Sequence, residues 1–139
     1  MKNKLYLSWN WVDENLIKLS EIIKDSISEY EYVTGIPRGG LIPGVCLSHT
    51  IGLKYTSYKD ALNFSKTDKK KVLVVDDICD TGHTVLDAIS NGFDVATLAL
   101  RYSSPYMPDY YGTKITNDDW LVFPWENANS KTVQDYLDN

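Results

Sequence analysis

Thirteen consecutive residues carry the densest chemistry of this chain: Val72-Leu73-Val74-Val75-Asp76-Asp77-Ile78-Cys79-Asp80-Thr81-Gly82-His83-Thr84. An unbroken Val/Leu run suits a strand buried on both faces, the situation of a central parallel strand. Such a strand delivers Asp76 and Asp77 to its carboxyl end. Two carboxylates there cannot be buried unpaired without a large desolvation cost, so they need hydroxyl-rich or cationic partners. Asp80 to Thr84 then opens a helix. Backbone amides at a helix N-terminus, beside the Thr81 and Thr84 hydroxyls, form a ready anion site, and Gly82 permits the backbone path of such a cradle. Acids for sugar hydroxyls beside amides for a phosphate describe a phosphorylated sugar. The plainer reading makes Asp76 and Asp77 helix caps and the loop a turn. It explains either Asp alone but not the thirteen residues together.

A second loop, Pro37-Arg38-Gly39-Gly40, follows an apolar segment. Pro37 restricts the chain, Arg38 supplies a cation, and the glycines let N–H groups approach an anion closely. Alone it would equally suit a plain strand-to-helix turn; its weight comes from the acidic loop. Arg101 ends the apolar run Thr97-Leu98-Ala99-Leu100 and would point at the same sheet edge. The plain alternative is a surface Arg paired with an acid. Two other acidic-strand motifs fail. A P-loop ATPase needs GxxxxGK[ST] upstream, which is missing. A receiver domain carries its acid pair near the chain start, not at position 76.

The elements that would position these groups follow from periodicity. Lys4–Ser8 reads as a short strand. Val12, Leu16, Leu19, Ile23 and Ile27 recur at the helical period, predicting a helix over about 9–27. Strands are expected over about 31–36, 54–58, 72–75 and 94–100, and helices over 41–51 and 85–90, the former capped by Gly52. The stretch 59–71, polar and rich in Lys, reads as a loop. Alternating strands and helices indicate an open, mostly parallel α/β sheet, which binds ligands beyond the carboxyl ends of its strands.

Length and composition set the outer limits. A chain of 139 residues suits a single domain over 1–139. At 43% hydrophobic and 24% charged it is an ordinary globular mixture, neither disordered nor collagen-like. The net charge, 14 − 19 = −5, disfavours nucleic acid as the main partner. Cys46 and Cys79 are too far apart for a CxxC pair, and only His49 and His83 accompany them, so zinc and a disulfide scaffold are both poorly supported. Cys79 lies among acids that disfavour a thiolate, making it a poor nucleophile. No apolar run approaches the ~18 residues of a membrane span. Leu5-Tyr6-Leu7 after Lys2 and Lys4 is too short for a signal peptide, so the expected address is the cytoplasm.

The thirteen-residue segment resembles the phosphoribosyl pyrophosphate (PRPP) motif of type I phosphoribosyltransferases: a hydrophobic run, two acids, two spacers, then Asp-Thr-Gly-x-Thr. Gly35-Ile36-Pro37-Arg38-Gly39-Gly40 resembles the pyrophosphate loop of that family. Asp119-Trp120-Leu121-Val122-Phe123-Pro124-Trp125 resembles the base-binding hood of its bacterial xanthine-guanine and hypoxanthine branch. The resemblance spans about residues 4–126. It implies a mostly parallel twisted sheet flanked by helices, with a small hood built from the N-terminal strand and about 102–126.

Carried over by residue, the resemblance implies that Asp76 and Asp77 bind the ribose hydroxyls, with Asp77 also near Mg2+. Asp80 would face N7 of a purine as general base or acid. Thr81, Gly82, His83 and Thr84 would hold the 5-phosphate, and Arg38 and Gly39 the pyrophosphate, partly through amides that a non-proline cis peptide near Arg38 exposes. Trp120 would stack on the base, which is worth ~1–3 kcal/mol, and the Leu121 backbone would read its edge. Arg101 stands where the purine branch carries a Lys that donates to the exocyclic oxygen. The implied reaction is Mg2+-dependent transfer of phosphoribose from PRPP to guanine, xanthine or hypoxanthine, by a homodimer or homotetramer.

Two further departures stand out. His83 occupies a position often Gly or Lys in the family, where a cation would strengthen phosphate binding. The 59–71 stretch is short for the mobile flap of relatives, although its lysines (59, 66, 69, 70 and 71) could neutralise pyrophosphate; a short flap implies leaky or slow turnover. Trp9, Trp11 and Trp125 read as packing aromatics and His49 as structural. Val133, Tyr136 and Leu137 suggest a short docking helix in the tail. The alternatives are a non-catalytic sensor of PRPP or nucleotides on the same fold, and transfer to a pyrimidine, which the hood resemblance disfavours.

Overall fold

A computed structural model describes residues 3–127; the expected docking helix at Val133, Tyr136 and Leu137 lies outside them. The order of elements is β1 (Lys4–Tyr6), α1 (Trp9–Ile23), a 3-10 turn (Lys24–Glu29), β2 (Tyr32–Gly35), α2 (Leu41–Ile51), β3 (Lys54–Tyr55), α3 (Tyr58–Leu62), α4 (Lys66–Lys69), β4 (Val72–Cys79), α5 (His83–Ser90), β5 (Asp94–Arg101), β6 (Tyr110–Ile115) and β7 (Trp120–Val122). Five strands form one parallel sheet in the order β3-β2-β4-β5-β6; β1 and β7 form a separate parallel pair. Because the five strands are parallel, the carboxyl ends of β2, β4 and β5 share one edge. The loops at 36–40, 80–82 and 102–109 therefore emerge together.

The central strand β4 is buried on both faces, as its run of branched residues predicts. Leu73 and Val75 pack with Leu16, Leu19, Val33, Leu47 and Leu98 on the side of α1 and α2. Val72 and Val74 pack with Tyr58, Val85, Phe93 and Val95 on the side of α3 and α5. The α1 stripe is as expected at Val12, Leu16, Leu19 and Ile23, and Ser8 caps the helix by accepting from the Trp11 N–H at 3.0 Å. The helix ends at Ile23 rather than near 27, tightening into the 3-10 turn.

Three expectations need correction. First, 59–71 is not a loop. Ser57 and Ser65 each accept from an N–H three residues on (Asp60 and Asp68, both at 3.1 Å) and start the short helices α3 and α4. The Ser-x-x-Asp spacing was present twice in the sequence and is a capping signal. Tyr58 and Ala61 are buried in the core and anchor α3, whereas α4 buries no residue. Lys69 and Lys71 belong to the opposite edge of the sheet. Lys69 lies over the Phe93 ring at 5.6 Å and Lys71 pairs with Asp68 at 3.8 Å. Lys71 precedes the first residue of β4, whereas Asp77 is six positions later, about 20 Å along a strand. Neither lysine can neutralise a pyrophosphate at the carboxyl edge.

Second, β4 does not stop at Val75. It continues through Asp76 and Asp77 to Cys79, pairing Asp76 with Thr97 and Cys79 with Leu100 of β5. The acids are strand residues, held by the ladder rather than by a loop. Third, the hood is smaller than 102–126. β6 pairs with β5 in the main sheet, and the separate pair consists of β1 and β7 alone. His49 is exposed in the last turn of α2 rather than packed.

Candidate active site

The carboxyl edge of the sheet and the hood enclose a cleft of about 670 Å³. Its wall includes Arg38, Gly39, Asp76, Asp77, Asp80, Thr81, Gly82, Thr84, Arg101, Trp120 and Leu121. These residues come from four separate stretches of chain, and the fold brings all of them to one place. Of the expected set, only His83 is absent from the wall, and its side chain is exposed.

The 36–40 turn is anchored at both ends. The Ile36 N–H donates to the Val75 carbonyl at 3.0 Å and the Gly40 N–H to the Ile36 carbonyl at 2.8 Å. The peptide bond between Pro37 and Arg38 is cis, the feature that the family resemblance implies. Gly39 lies directly against the Asp77 carboxylate, and a Cβ there would collide with its Oδ2 and Cγ. Only glycine lets this turn approach the acid so closely.

Asp76 and Asp77 form a closely spaced acid pair. The Asp76 Oδ1 accepts from the Asp77 N–H at 2.9 Å, and the Asp77 Oδ1 accepts from the Ile78 N–H at 2.7 Å. Burial, and then the neighbouring Asp77 charge, hold Asp76 well above the usual carboxylate range. Burial also raises Asp77. Empty, the cleft therefore keeps its acids under electrostatic tension that bound hydroxyls or a cation would relieve. Glu126 adds to it. This residue, not anticipated from sequence, lines the cleft; its Oε1 accepts from the Phe123 N–H at 2.8 Å, and burial plus the Asp77 charge push it up. Its only sequence signal was its position directly after the hood segment.

These donors suit Mg2+ in one specific way. Among the described residues no three His, Cys, Asp or Glu side chains converge on a metal position. Mg2+ needs no such cage, since it is commonly held by one or two carboxylates plus substrate phosphates. Asp77, hard, acidic and set against the Gly39 turn, offers that kind of partial site.

Beyond the acids, the chain turns into α5 through Gly82, whose φ is +85°. Among the described residues, the amides of Thr81, Gly82 and His83 donate to no backbone carbonyl. They remain available for an anion at a helix N-terminus. The 102–109 connection supports this turn from behind. Cys79 Sγ lies 3.4 Å from Ser104 Oγ and donates to the Tyr106 carbonyl at 3.3 Å. Burial raises the Cys79 thiol, in keeping with a packing role. A Cβ on Gly82 would sit 2.9 Å from Ser104 Oγ and from two Tyr106 carbons. Gly82→Ala is therefore expected to cost about 1–3 kcal/mol of stability from the positive φ alone and to weaken phosphate binding. Thermal melts with and without inorganic phosphate measure both effects.

The hood supplies the facing wall. Trp120 is 42% exposed beside the cleft, whereas Leu121 and Phe123 are buried. The Trp120 N–H donates to the Asn3 carbonyl at 2.7 Å and the Val122 carbonyl accepts from the Leu7 N–H at 2.8 Å. Alternation along a strand turns the Leu121 amide and carbonyl the other way, onto the open edge of the hood. Trp125 packs as expected, stacked on Phe123 (centroids 5.1 Å apart) and tilted against Trp9 (5.8 Å), and it also borders the cleft. Trp11 meets Phe123 edge-on at 6.1 Å. Trp9, by contrast, is half-exposed. Arg101 is not a surface residue, and three of its N–H groups are bonded within the protein while it lines the cleft. It is buried, and its Nε donates to Asp80 Oδ1 at 3.1 Å, while Nη1 donates to the carbonyls of Asn117 (2.9 Å) and Asp119 (2.8 Å).

No protein-family model matches the chain. Among solved structures it is similar to a purine phosphoribosyltransferase from Pyrococcus horikoshii Ot3, at 29% identity and a TM-score of 0.76, over 94% of this chain and 99% of that one. It is similar also to the xanthine-guanine-hypoxanthine phosphoribosyltransferase of Helicobacter pylori (21% identity, TM-score 0.72, 89% of this chain and 94% of that one). A protein from Neisseria gonorrhoeae with bound ppGpp shares the fold as well (20% identity, TM-score 0.74, 93% of this chain and 92% of that one). Among the described residues no helix is long and apolar enough to cross a membrane. An acid-ended central strand, an amide cradle behind it and a likeness that runs nearly end to end with a purine enzyme lead to one conclusion: the chain has the fold of the purine phosphoribosyltransferases and is similar to enzymes of that family.

Proposed function

We propose that the protein transfers the 5-phosphoribosyl group of PRPP to a 6-oxopurine (guanine, xanthine or hypoxanthine), releasing pyrophosphate, as a cytoplasmic purine-salvage enzyme acting as a homodimer or homotetramer. The observation that carries the reading is the convergence of the Asp76–Asp77 pair, the 81–83 amides and the Arg38–Gly39 turn on one cleft that Trp120 and Leu121 face. In this reading the amides and the Thr81 and Thr84 hydroxyls hold the 5-phosphate. Asp76 and Asp77 accept from the ribose hydroxyls, and the Arg38–Gly39 turn receives the pyrophosphate. Trp120 stacks on the base, the Leu121 backbone meets its edge, and Arg101 borders the base subsite.

The base nitrogen attacks C1 as the C1–O bond to pyrophosphate breaks, and positive charge builds on the sugar ring. Asp80 receives or shares the proton at N7 of the incoming base. Preorganised amides of the 37–40 turn stabilise the charge developing on the leaving group. Asp77 would hold Mg2+ together with the substrate, and the ion would supply further neutralisation of the pyrophosphate.

The ppGpp-bound Neisseria neighbour favours a second reading, a nucleotide sensor without transfer activity. One assay separates the two. The protein is incubated with PRPP, Mg2+ and each purine, and pyrophosphate release is followed. Release with a 6-oxopurine and none with orotate is the expected result. Tight PRPP binding with no release for any base would establish the sensor instead.

A further inference from the structure

Arg101 is a buried cation at the mouth of a cleft, and all three of its bonds described above go to two segments that share no strand. Asp80 lies in the loop after β4. Asn117 and Asp119 lie in the connection that leads from β6 into β7, immediately before Trp120. That connection is itself closed by the Asp119 N–H donating to Asn117 Oδ1 at 3.0 Å. Arg101 pairs through its backbone with Ile115 of β6, so its own position is set by the main sheet. A buried guanidinium is tolerated only where its donors are satisfied. Here three of its five N–H donors are satisfied, by one carboxylate on one side and two carbonyls on the other.

We propose that Arg101 is a positioning residue, a strut that fixes the spacing between the Asp80 carboxylate and the hood edge at Trp120–Leu121. Asp80 is the group that handles the proton of the base, and the hood edge is the surface that holds the base, so this inference rests on the proposed transfer reaction. The planar fork of the guanidinium sends Nε and Nη1 along fixed, different directions. A lysine, a single charged nitrogen on a flexible stem, cannot hold both ends at a set distance. The strut keeps base and proton acceptor in register in a chain whose α3 is anchored in the core by Tyr58 and Ala61.

The test uses the full chain with Arg101→Lys and Arg101→Met, read by hydrogen exchange, by PRPP calorimetry and by kinetics. Exchange over 117–121 is expected to rise about tenfold in both variants while β2 and β4 stay protected. PRPP affinity should change less than about threefold, whereas kcat should fall by up to about 100-fold, the scale of a 1 Å misplacement, and KM for the base should rise. Millimolar guanidinium should restore part of the protection and part of kcat to Arg101→Ala but not to the wild type. Unchanged exchange over 117–121 would overturn the strut. So would equal losses of PRPP affinity, base KM and kcat with exchange rising throughout the chain. If the wild type transfers to no base, the transfer reading fails, and the exchange data still decide whether the strut exists.

Discussion

Asp80→Asn is expected to leave PRPP bound and to lower kcat by about 10²–10⁴-fold, the usual contribution of a positioned general base. The substitution is nearly isosteric. Its amide oxygen can still accept from Arg101 Nε, the bond that now spans 3.1 Å to Asp80 Oδ1. The spacing of the site therefore survives, and what disappears is a group able to take a proton. The Asp80 side chain is 45% exposed while its partner Arg101 is 6% exposed, so the carboxylate remains reachable by substrate despite the pairing. In the proposed function the phosphate and pyrophosphate contacts belong to other residues, which is why affinity should hold. Steady-state kcat with guanine, set against the PRPP dissociation constant from calorimetry, checks this. Equal loss of both would remove Asp80 from base activation and make it a ligand of PRPP alone.

Asp76→Asn should separate stability from function in opposite directions. Asp76 is buried beside Asp77 and its acid is raised, chiefly by burial. A carboxyl whose folded pKa lies above its unfolded value favours the folded state when protonated. That contribution is fully present below the ordinary carboxylate range and is lost as pH rises through the raised value. The ligand-free wild type should thus lose melting temperature across that window. Asn removes the ionisable group while keeping an oxygen for the Asp77 N–H. Near neutral pH the variant should melt higher, by about 3–5 °C for each ~1 kcal/mol gained, and its pH slope should be shallower. Asp77 and Glu126, also raised, keep some slope in place.

PRPP binding should move the other way. Hydroxyl donors prefer an ionised acceptor, and a hydrogen bond to a charged group is worth about 1.5–3 kcal/mol, so affinity should fall by about 10–100-fold. Wild-type affinity should rise with pH over the window in which ligand-free stability falls. Melting curves and PRPP titrations across pH 4–8 would show the two trends crossing. A variant that melts lower at neutral pH would mean that the charge of Asp76 is already compensated in the empty cleft.

This opposition follows from where the acids lie. They are strand residues, with Asp76 paired to Thr97 of β5 and buried and Asp77 half-buried beside it. A loop would have let them relax. The strand placement makes the site preorganised, and the same placement makes it costly to leave empty.

Much of this molecule was legible in its residues. The Val72–Val75 run specified a strand buried on both faces, and the residues after it specified an acid pair beside a helix-start turn at Gly82, because backbone chemistry at a strand end and a helix start is local. The α1 stripe and the Gly52 cap were local too. The Ser-x-x-Asp caps of α3 and α4 were present but outweighed by the lysines around them, whose polarity suggested a loop. Other features depended on distant partners. Nothing near Arg101 in sequence announces that it joins Asp80 to Asn117 and Asp119. Nothing near Glu126 places it within reach of the Asp77 charge. β6 was assigned to the hood because its partner β5 can be recognised only once the sheet closes. Short-range periodicity and turn chemistry thus determined the strands, the cradle and the acid pair. Tertiary packing decided which charges meet, since a Coulombic or hydrogen-bonded contact depends on separation in space, and separation along the chain does not supply it.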